Sequence, residues 1–453
     1  MQMDELKQSL QTYGILGAGG AGFPTYAKLS DKTETIILNC AECEPLLKVH
    51  RQLLAVHAFE IVKALQTAAA AVGAKKICIA VKPSYTQAVE AVKVVIANTD
   101  GPIPVEISLL PEVYPAGDEV ITIYEVTGKV VPPGKLPIDI GIAVFNVETM
   151  YNVYRAVFEQ KGVTHTYLTI AGEVSKPITL CLPVGTTVEA AVAMASGVTT
   201  AEPVFVNGGP MTGRIVTEGD VIGKTTTAIL VFPKNHYVVR KKAGNTTIDM
   251  KRAMSACCQC RMCTDLCPRH LLGHPIEPHA FMRSATTGTT VDLTPFINTF
   301  ACSQCGLCEM YACDLSLAPA KLIGIHKSKL AQNGIRPGAD DLKQGQVNKI
   351  RDLRMVPMKR LISRLGLGVY NTPAPLSEAQ ALPAGNQLFT IMLNQHIGAP
   401  ATACVKAGEY VTAGQQIALP ADGKLSIAYH ASVSGTVTEA NEKCVIIQQE
   451  ETR

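Results

Sequence analysis

Cys257, Cys258, Cys260, Cys263 and Cys267 crowd into the stretch SACCQCRMCTDLCP, and Cys302, Cys305, Cys308 and Cys313 follow in FACSQCGLCEMYACD. Four thiolates can hold a zinc ion in a closed tetrahedron or cap the irons of an iron–sulfur cube. The two chemistries favour different spacings. Structural zinc sites use two separate C-x2-C pairs, whereas a cube takes three thiolates from one short turn and a fourth from elsewhere. Three cysteines at x2 spacing, occurring twice, point to cubes and to electron transfer.

The first run, Cys257-x2-Cys260-x2-Cys263-x3-Cys267 followed by Pro268, resembles the ligand run of bacterial ferredoxins. In two-cluster ferredoxins the last cysteine of each run ligates the other cluster. The resemblance therefore implies one [4Fe–4S] centre on Cys257, Cys260, Cys263 and Cys313, and a second on Cys302, Cys305, Cys308 and Cys267. Cys258 is the spare, because its use would break the x2 spacing. The second run departs from the pattern, with x4 before Cys313 and Asp314 in place of proline. His270, His274 and His279, close to Pro275 and Pro278, read as surface or capping residues.

A second cluster of chemistry lies near the N-terminus, in GILGAGGAGFPT. It formally contains G-x-G-x-x-G at Gly17, Gly19 and Gly22, but it follows a helix-like segment where a dinucleotide fingerprint would follow a strand. Two readings stay open, a mobile glycine turn and a set of backbone amides converging on a phosphate with Lys28 nearby. NCAECEP places Asn39, Glu42 and Glu44 at the carboxyl end of a strand, where open α/β sheets bind ligands. YPAGDEV supplies Tyr114, Gly117, Asp118 and Glu119, and FNVET supplies Asn146 and Glu148. Cys40 and Cys43 have no second pair and read as loop thiols.

The elements that must position these residues divide the chain of 453 residues into several units. Over 1–160, TIILNC, KKICIAVK and VEISLL read as strands and Ile61, Ala64, Leu65 and Ala68 repeat at helical spacing. Ser84 is the expected N-cap of a helix through YTQAVEAVKVVIA, and GIAVFNVETMYNVYRAVF adds a strand and a helix. This βαβ alternation predicts a parallel sheet with covered faces. Residues 164–245 read as β-rich, with one helix in TVEAAVAMA. The cysteine block occupies 246–333 with helical intervals, 334–385 is expected to be a linker with some helix, and 386–453 returns to short strands with glycine turns. The fold class is multidomain α/β plus β.

Composition narrows the function. The formal charge of +3, with 17% charged and 47% hydrophobic residues, gives no basic face for nucleic acid. No apolar run approaches the ~20 residues of a membrane span. The acidic, amphipathic start MQMDELKQSLQTYG carries no secretory signal pattern, and clustered thiols fit a reducing, cytoplasmic setting.

Taken together, the glycine loop and the three carboxylate-bearing segments resemble the FMN- and NADH-binding module of the complex I flavoprotein subunit and of the Rnf complex C subunit. The resemblance covers about residues 10–160. It implies a Rossmann-like module with FMN on Gly17, Gly19, Gly20, Gly22, Lys28, Asn39, Glu42, Gly117, Asp118 and Asn146. It further implies that Phe23, Glu44, Tyr114 and Glu119 face NADH. Ala18 and Ala41 depart from complex I, which carries a basic and an acidic residue there. Residues 164–245 look like the β-grasp (SLBB) domain of the same families. The tail HIGAPATACVKAGEYVTAGQQIA resembles the Rnf barrel-sandwich hybrid, without the hairpin lysine of biotinyl carriers.

This order of parts, with the opening MDELKQSLQTYGILGAGGAGFPTYAKLS, is similar to the cobalamin reductases of propanediol-utilisation microcompartments. That resemblance implies NADH oxidation through FMN and two clusters to cobalamin, a corrinoid adenosyltransferase and shell proteins as partners, and residence in a bacterial microcompartment. No D-x-H-x-x-G corrinoid motif is present. The alternative reading is an electron-input subunit of an Rnf-like or respiratory assembly.

Overall fold

Runs rich in β-branched residues are stiff at the first side-chain torsion and favour extended backbone. Thr35–Cys40, Lys76–Val81, Val105–Leu109 and Ile142–Asn146 accordingly form a four-stranded, all-parallel sheet. The computed structural model describes residues 1–99, 101–287, 291–338, 341–377 and 387–450. Residues 378–386, at the expected end of the linker and start of the last unit, and 451–453, the expected chain end, lie outside the described residues, as do 288–290 and 339–340. The sheet order is Val105–Leu109, Lys76–Val81, Thr35–Cys40, Ile142–Asn146. Strand order thus reverses between Thr35–Cys40 and Ile142–Asn146, and the register pairs Asn39 with Asn146 at their carboxyl ends. Such a switch point opens a crevice.

Helices Ala58–Val72, Thr86–Asn98, Glu119–Thr127 and Val147–Phe158 flank this sheet, as the helical spacing of Ile61, Leu65 and Ala68 predicts. One expectation fails locally. The N-cap of Thr86–Asn98 is Tyr85, without a side-chain cap, and Ser84 instead takes the carboxylate of Glu112 on its backbone N–H. The N-terminal helix Met3–Thr12 buries Leu6 and Leu10 in the same core. Among the described residues no single helix is long and apolar enough to cross a membrane.

A second, six-stranded mixed sheet runs from Leu376–Ser377 through Ile178–Pro183, His165–Gly172, Ala228–Pro233 and Pro203–Asn207 to Arg214–Val216. Helix Val188–Ala193 packs on it, capped by the Thr187 hydroxyl. Short helices between Thr246 and Gln332 frame the cysteines. Two small sheets in the region 388–449 enclose Phe389, Val411, Ile417, Tyr429, Val437 and Ile447.

The stretch expected to link these units is more engaged than a linker. Val356–Pro357 pairs antiparallel with Val113–Tyr114, Leu376–Ser377 adds an edge strand beside Thr179–Leu180, and Leu361, Leu365 and Leu367 are fully buried against the 228–239 region. Its apolar positions are few, so local periodicity conceals a segment that is held by other units.

Glu148 sits at the joint between the first two sheets and takes no part in the crevice. One carboxylate oxygen accepts from Thr166 Oγ1 and from Tyr167 N, each at 3.1 Å. Burial raises its carboxyl to about 7 despite those donors. Between the ordinary value of 4.5 and about 7 the folded chain holds a proton that the unfolded chain has released, so stability falls as pH rises through that window. The Glu148→Gln variant is therefore expected to gain on the parent in denaturation midpoint between pH 5 and pH 8. Parallel pH profiles for the two proteins would refute the burial argument.

Candidate functional site

The crevice at the sheet's switch point is roofed by the other units into a cavity of about 810 Å³. One wall comes from Gly19, Gly20, Asn39, Glu42, Gly117 and Asn146; the facing wall comes from Asn207–Gly209, Thr212–Arg214, Gly223 and Thr225–Thr227 of the second sheet's unit and from Met392 and Asn394–Ile397 of the C-terminal unit. This volume lies in the range of small-molecule and cofactor sites.

The glycine loop is a closed hairpin. Gly17 N donates to Phe23 O at 2.9 Å, and Ala18 N donates to Thr149 Oγ1 at 2.9 Å. Gly19 and Gly22 hold φ of +71° and +69°, where a side chain is strained. A Cβ on Gly22 would also stand 2.7 Å from Gln395 O, so the C-terminal unit presses on the loop. A Cβ on Gly20 would meet no protein atom within 4 Å, although Gly20 lines the cavity. That open backbone is the cradle a phosphate or a ring edge needs, and it fits FMN.

Carboxamides and carboxylates complete the wall. Asn39 Nδ2 donates to Gly117 O at 2.8 Å, and Asn146 Nδ2 lies 3.0 Å from His50 Nε2. Glu42 accepts from His50 N at 2.8 Å and from Arg51 Nε at 2.8 Å. Burial pushes its carboxyl up, but Arg51 and His50 outweigh burial, and the net effect keeps Glu42 ionised. His50 is held neutral, mainly by burial. Glu44 reaches across to the second sheet, accepting from Met211 N at 2.8 Å, Thr212 N at 2.9 Å and Thr212 Oγ1 at 2.6 Å.

Several residues expected at the ligand stand elsewhere. Lys28 donates to Glu119 at 3.1 Å and to Val144 O at 2.9 Å, so this pair closes the loop onto the sheet outside the cavity lining. Asp118 caps helix Glu119–Thr127 and pairs with Arg269 at 2.9 Å. Tyr114 is 3% exposed and its hydroxyl donates to Cys305 O at 2.5 Å. Gly17, Gly22 and Phe23 form the neck of the loop behind the lining residues. The pattern in sequence is shared by ligand contacts and by the residues that shape the wall, and only packing separates them. The sequence reading missed His50, Arg214, Thr225–Thr227 and Asn394–Ile397. The glycines of NGGPMTG and the run GKTTT were a signal for two of these segments.

Beneath Tyr114 lie the cysteines, in two loops with one backbone design. Gln259 and Arg261 in the first, and Gln304 and Gly306 in the second, all take positive φ of 57° to 75°. Each loop's glutamine donates Nε2 to the leading thiol, Gln259 to Cys257 and Gln304 to Cys302, at 3.2 Å in both. The left-handed residues alternate with Cys260 in the first loop and Cys305 in the second, so both loops curl in the same way. The Cys263 thiol, pushed up to about 12 chiefly by burial, feels Cys313, Cys260 and Cys257. Burial likewise raises Cys308, which feels Cys302, Cys305, Cys267 and Cys263. Cys313 of the second run thus neighbours Cys263 of the first, and Cys267 of the first neighbours Cys308 of the second. Cys258 and Cys260 are exposed, whereas Cys308 is buried. Among the described residues no three His, Cys, Asp or Glu groups converge as a single metal ion requires. His274 is buried with Nε2 on Val131 O at 3.1 Å, contrary to the surface role expected, and His279 does pair with the Thr264 hydroxyl.

Comparison with known proteins follows the same division. Residues 10–155 match the Nuo51 FMN-binding domain, 167–215 the SLBB domain, 256–318 a 4Fe-4S dicluster domain and 375–452 the RnfC barrel sandwich hybrid domain. Structures of an NAD+-reducing [NiFe]-hydrogenase, H2-reduced and air-oxidized, align at TM-scores of 0.47 and 0.49 with 20% and 18% identity. They cover 75% and 82% of this chain and 64% and 68% of their own. Cobalamin reductase PduS of Citrobacter freundii is 39% identical over 446 residues, 98% of this chain and 96% of its own length. The PduS of Salmonella typhimurium is 38% identical over 449 residues, 99% and 97% of the two chains. An FMN-binding α/β unit, an SLBB unit, a 4Fe-4S dicluster unit and a barrel-sandwich unit, in that order and at that identity over nearly the whole length, make this chain an oxidoreductase that belongs to the PduS cobalamin reductase family.

Proposed function

We propose that the protein oxidises NADH and passes single electrons through FMN and two [4Fe–4S] clusters to cobalamin. The observation that carries this reading is the contact between the residues that brace the cavity wall and the cysteine loops: Tyr114 donates to Cys305 O, and Asp118, next to the lining residue Gly117, pairs with Arg269, two residues beyond Cys267. FMN would be held by the amides around Gly19 and Gly20 with Asn39, Gly117 and Asn146, while Glu42 fixes the helix that carries His50. NADH would lie against the facing wall, where Thr212, Arg214 and Asn394 offer polar groups. The chemistry that FMN would supply there is hydride acceptance and release of single electrons, which cobalt and iron–sulfur acceptors require.

The chain's own contribution is placement. The set of Cys302, Cys305, Cys308 and Cys267 is joined to the flavin module through the Tyr114 hydroxyl on Cys305 O, and the set with exposed Cys260 opens toward solvent, which supports an exit there. Cobalamin as acceptor rests on the activity named for the PduS relatives. The RnfC-like barrel supports a second reading, entry of electrons into a larger assembly, with the same internal route.

Anaerobic NADH is expected to bleach both flavin and cluster absorbance, and turnover is expected with cob(III)alamin as sole acceptor. Unchanged spectra would overturn the reductase, and bleaching without cobalamin turnover would favour the second reading. Gly20→Leu should lower FMN affinity about tenfold or more, in line with the ~1–3 kcal/mol of steric overpacking; undiminished flavin content would remove the loop from the site. Cys260→Ala should halve bound iron while flavin stays, and parental iron content would break the ligand assignment.

A further inference from the structure

Arg269 joins the two halves of the site. Its terminal nitrogen lies 2.9 Å from each oxygen of Asp118, at the cavity edge. The side chain is only 17% exposed, and Nε is buried with no hydrogen-bond partner among the described residues. A buried N–H without an acceptor costs about 1–3 kcal/mol. Arg269 lies in the helix Pro268–Leu271, whose N-cap is Cys267; with Asp118 engaging the terminal nitrogen, Nε is left for an acceptor that the sulfur of a bound cluster would supply. The other cation beside this set, Lys327, has its ammonium on the carbonyls of Phe300 and Cys302 at 3.4 and 3.1 Å. On the second set, Lys241 is likewise engaged by the carbonyls of Ser316 and Leu317. Of these three cations, Arg269 is the one with a buried N–H that has no partner among the described residues.

We infer that Arg269 is a positioning residue that raises the reduction potential of the cluster on Cys267, Cys302, Cys305 and Cys308, and that Asp118 tempers this effect. The inference rests on the cluster assignment proposed above. Reduction adds negative charge to the cluster, so a fixed guanidinium favours the reduced form, and hydrogen bonds to cluster sulfur act in the same direction. The paired carboxylate opposes it. The flavin-side cluster is thereby made the readier first acceptor, by a residue that touches the wall of the flavin cavity.

The test is an anaerobic redox titration of the full-length, cluster-loaded protein, read by electron paramagnetic resonance, with iron quantified for each variant. Arg269→Gln should shift one of the two cluster signals to more negative potential by about tenfold in its reduction equilibrium, or ~59 mV for one electron, and leave the other in place. Arg269→Lys, which keeps the charge, should stay near the parent. Asp118→Asn keeps a good N-cap and should move the same signal the opposite way. Unmoved potentials in variants that retain iron overturn the inference. If Arg269→Gln loses iron, Asp118→Asn decides, and an unshifted signal there is equally fatal. A parent protein with no iron–sulfur signal would sink the cluster assignment itself, a separate failure.

Discussion

The acidic turn that leaves the first strand, Glu42 and Glu44, is the constraint on which the site depends. Both side chains are turned to structure. Glu42 holds the start of helix Val49–Val56 through His50 N and locks Arg51, whose guanidinium stacks 3.9 Å above the Tyr85 ring. Glu44 takes three hydrogen bonds from residues 211 and 212, and burial raises its carboxyl against those donors. Close approach is essential there, because a Cβ on Gly209 would stand 2.0 Å from Glu44 Oε2. A crevice at a sheet's switch point is open on one side; Glu44 ties the second sheet over it, while Glu42 holds the helix that carries His50.

The third wall is fixed by a buried cation. Lys224, 2% exposed, donates to Gly14 O at 2.9 Å and to Ala428 O at 3.3 Å, with its ammonium 4.4 Å from the Tyr429 ring. One side chain from the SLBB unit therefore engages the N-terminal and C-terminal units together, and burial lowers its pKa to about 7. Beside it, Gln395 accepts from Lys224 N at 2.6 Å, and Gly22 O accepts from Ile397 N at 3.0 Å. The barrel-sandwich unit thus forms part of the cavity lining from the far end of the chain.

The thiol loops show the same economy of local geometry. Two loops of the same backbone curl differ at one informative position: Gly306 is free to adopt left-handed backbone, while Arg261 adopts it with a side chain and a conformational cost of roughly 1 kcal/mol. Arg261 has long, near-limit ion contacts to Asp265 and Glu277 at 3.9 and 4.0 Å. Pairs of that kind at an exposed site contribute little. Those contacts therefore do not account for the curl.

Much was legible in sequence where chemistry is local. Cysteine spacing pointed to the 4Fe-4S dicluster unit, the strand runs and the helical repeat of Ile61, Ala64, Leu65 and Ala68 pointed to the parallel sheet, and TVEAAVAMA to the helix that Thr187 caps. Those signals arise from interactions within one turn or one strand. What spacing alone could not separate is Gly20 from Gly22, or Asn146 from Glu148, because lining a cavity and bracing its wall require the same residue types. Lys28, Tyr114, Asp118 and Glu119 brace, while His50, Arg214 and His396 line, and the difference lies in contacts spanning from about 90 to nearly 400 positions of chain. The sequence by itself determined the chemistry of each part, since ligand type and element period are short-range properties. Only the tertiary structure decided which parts meet at one cavity, because burial and the switch point exist only once distant strands and loops are packed together.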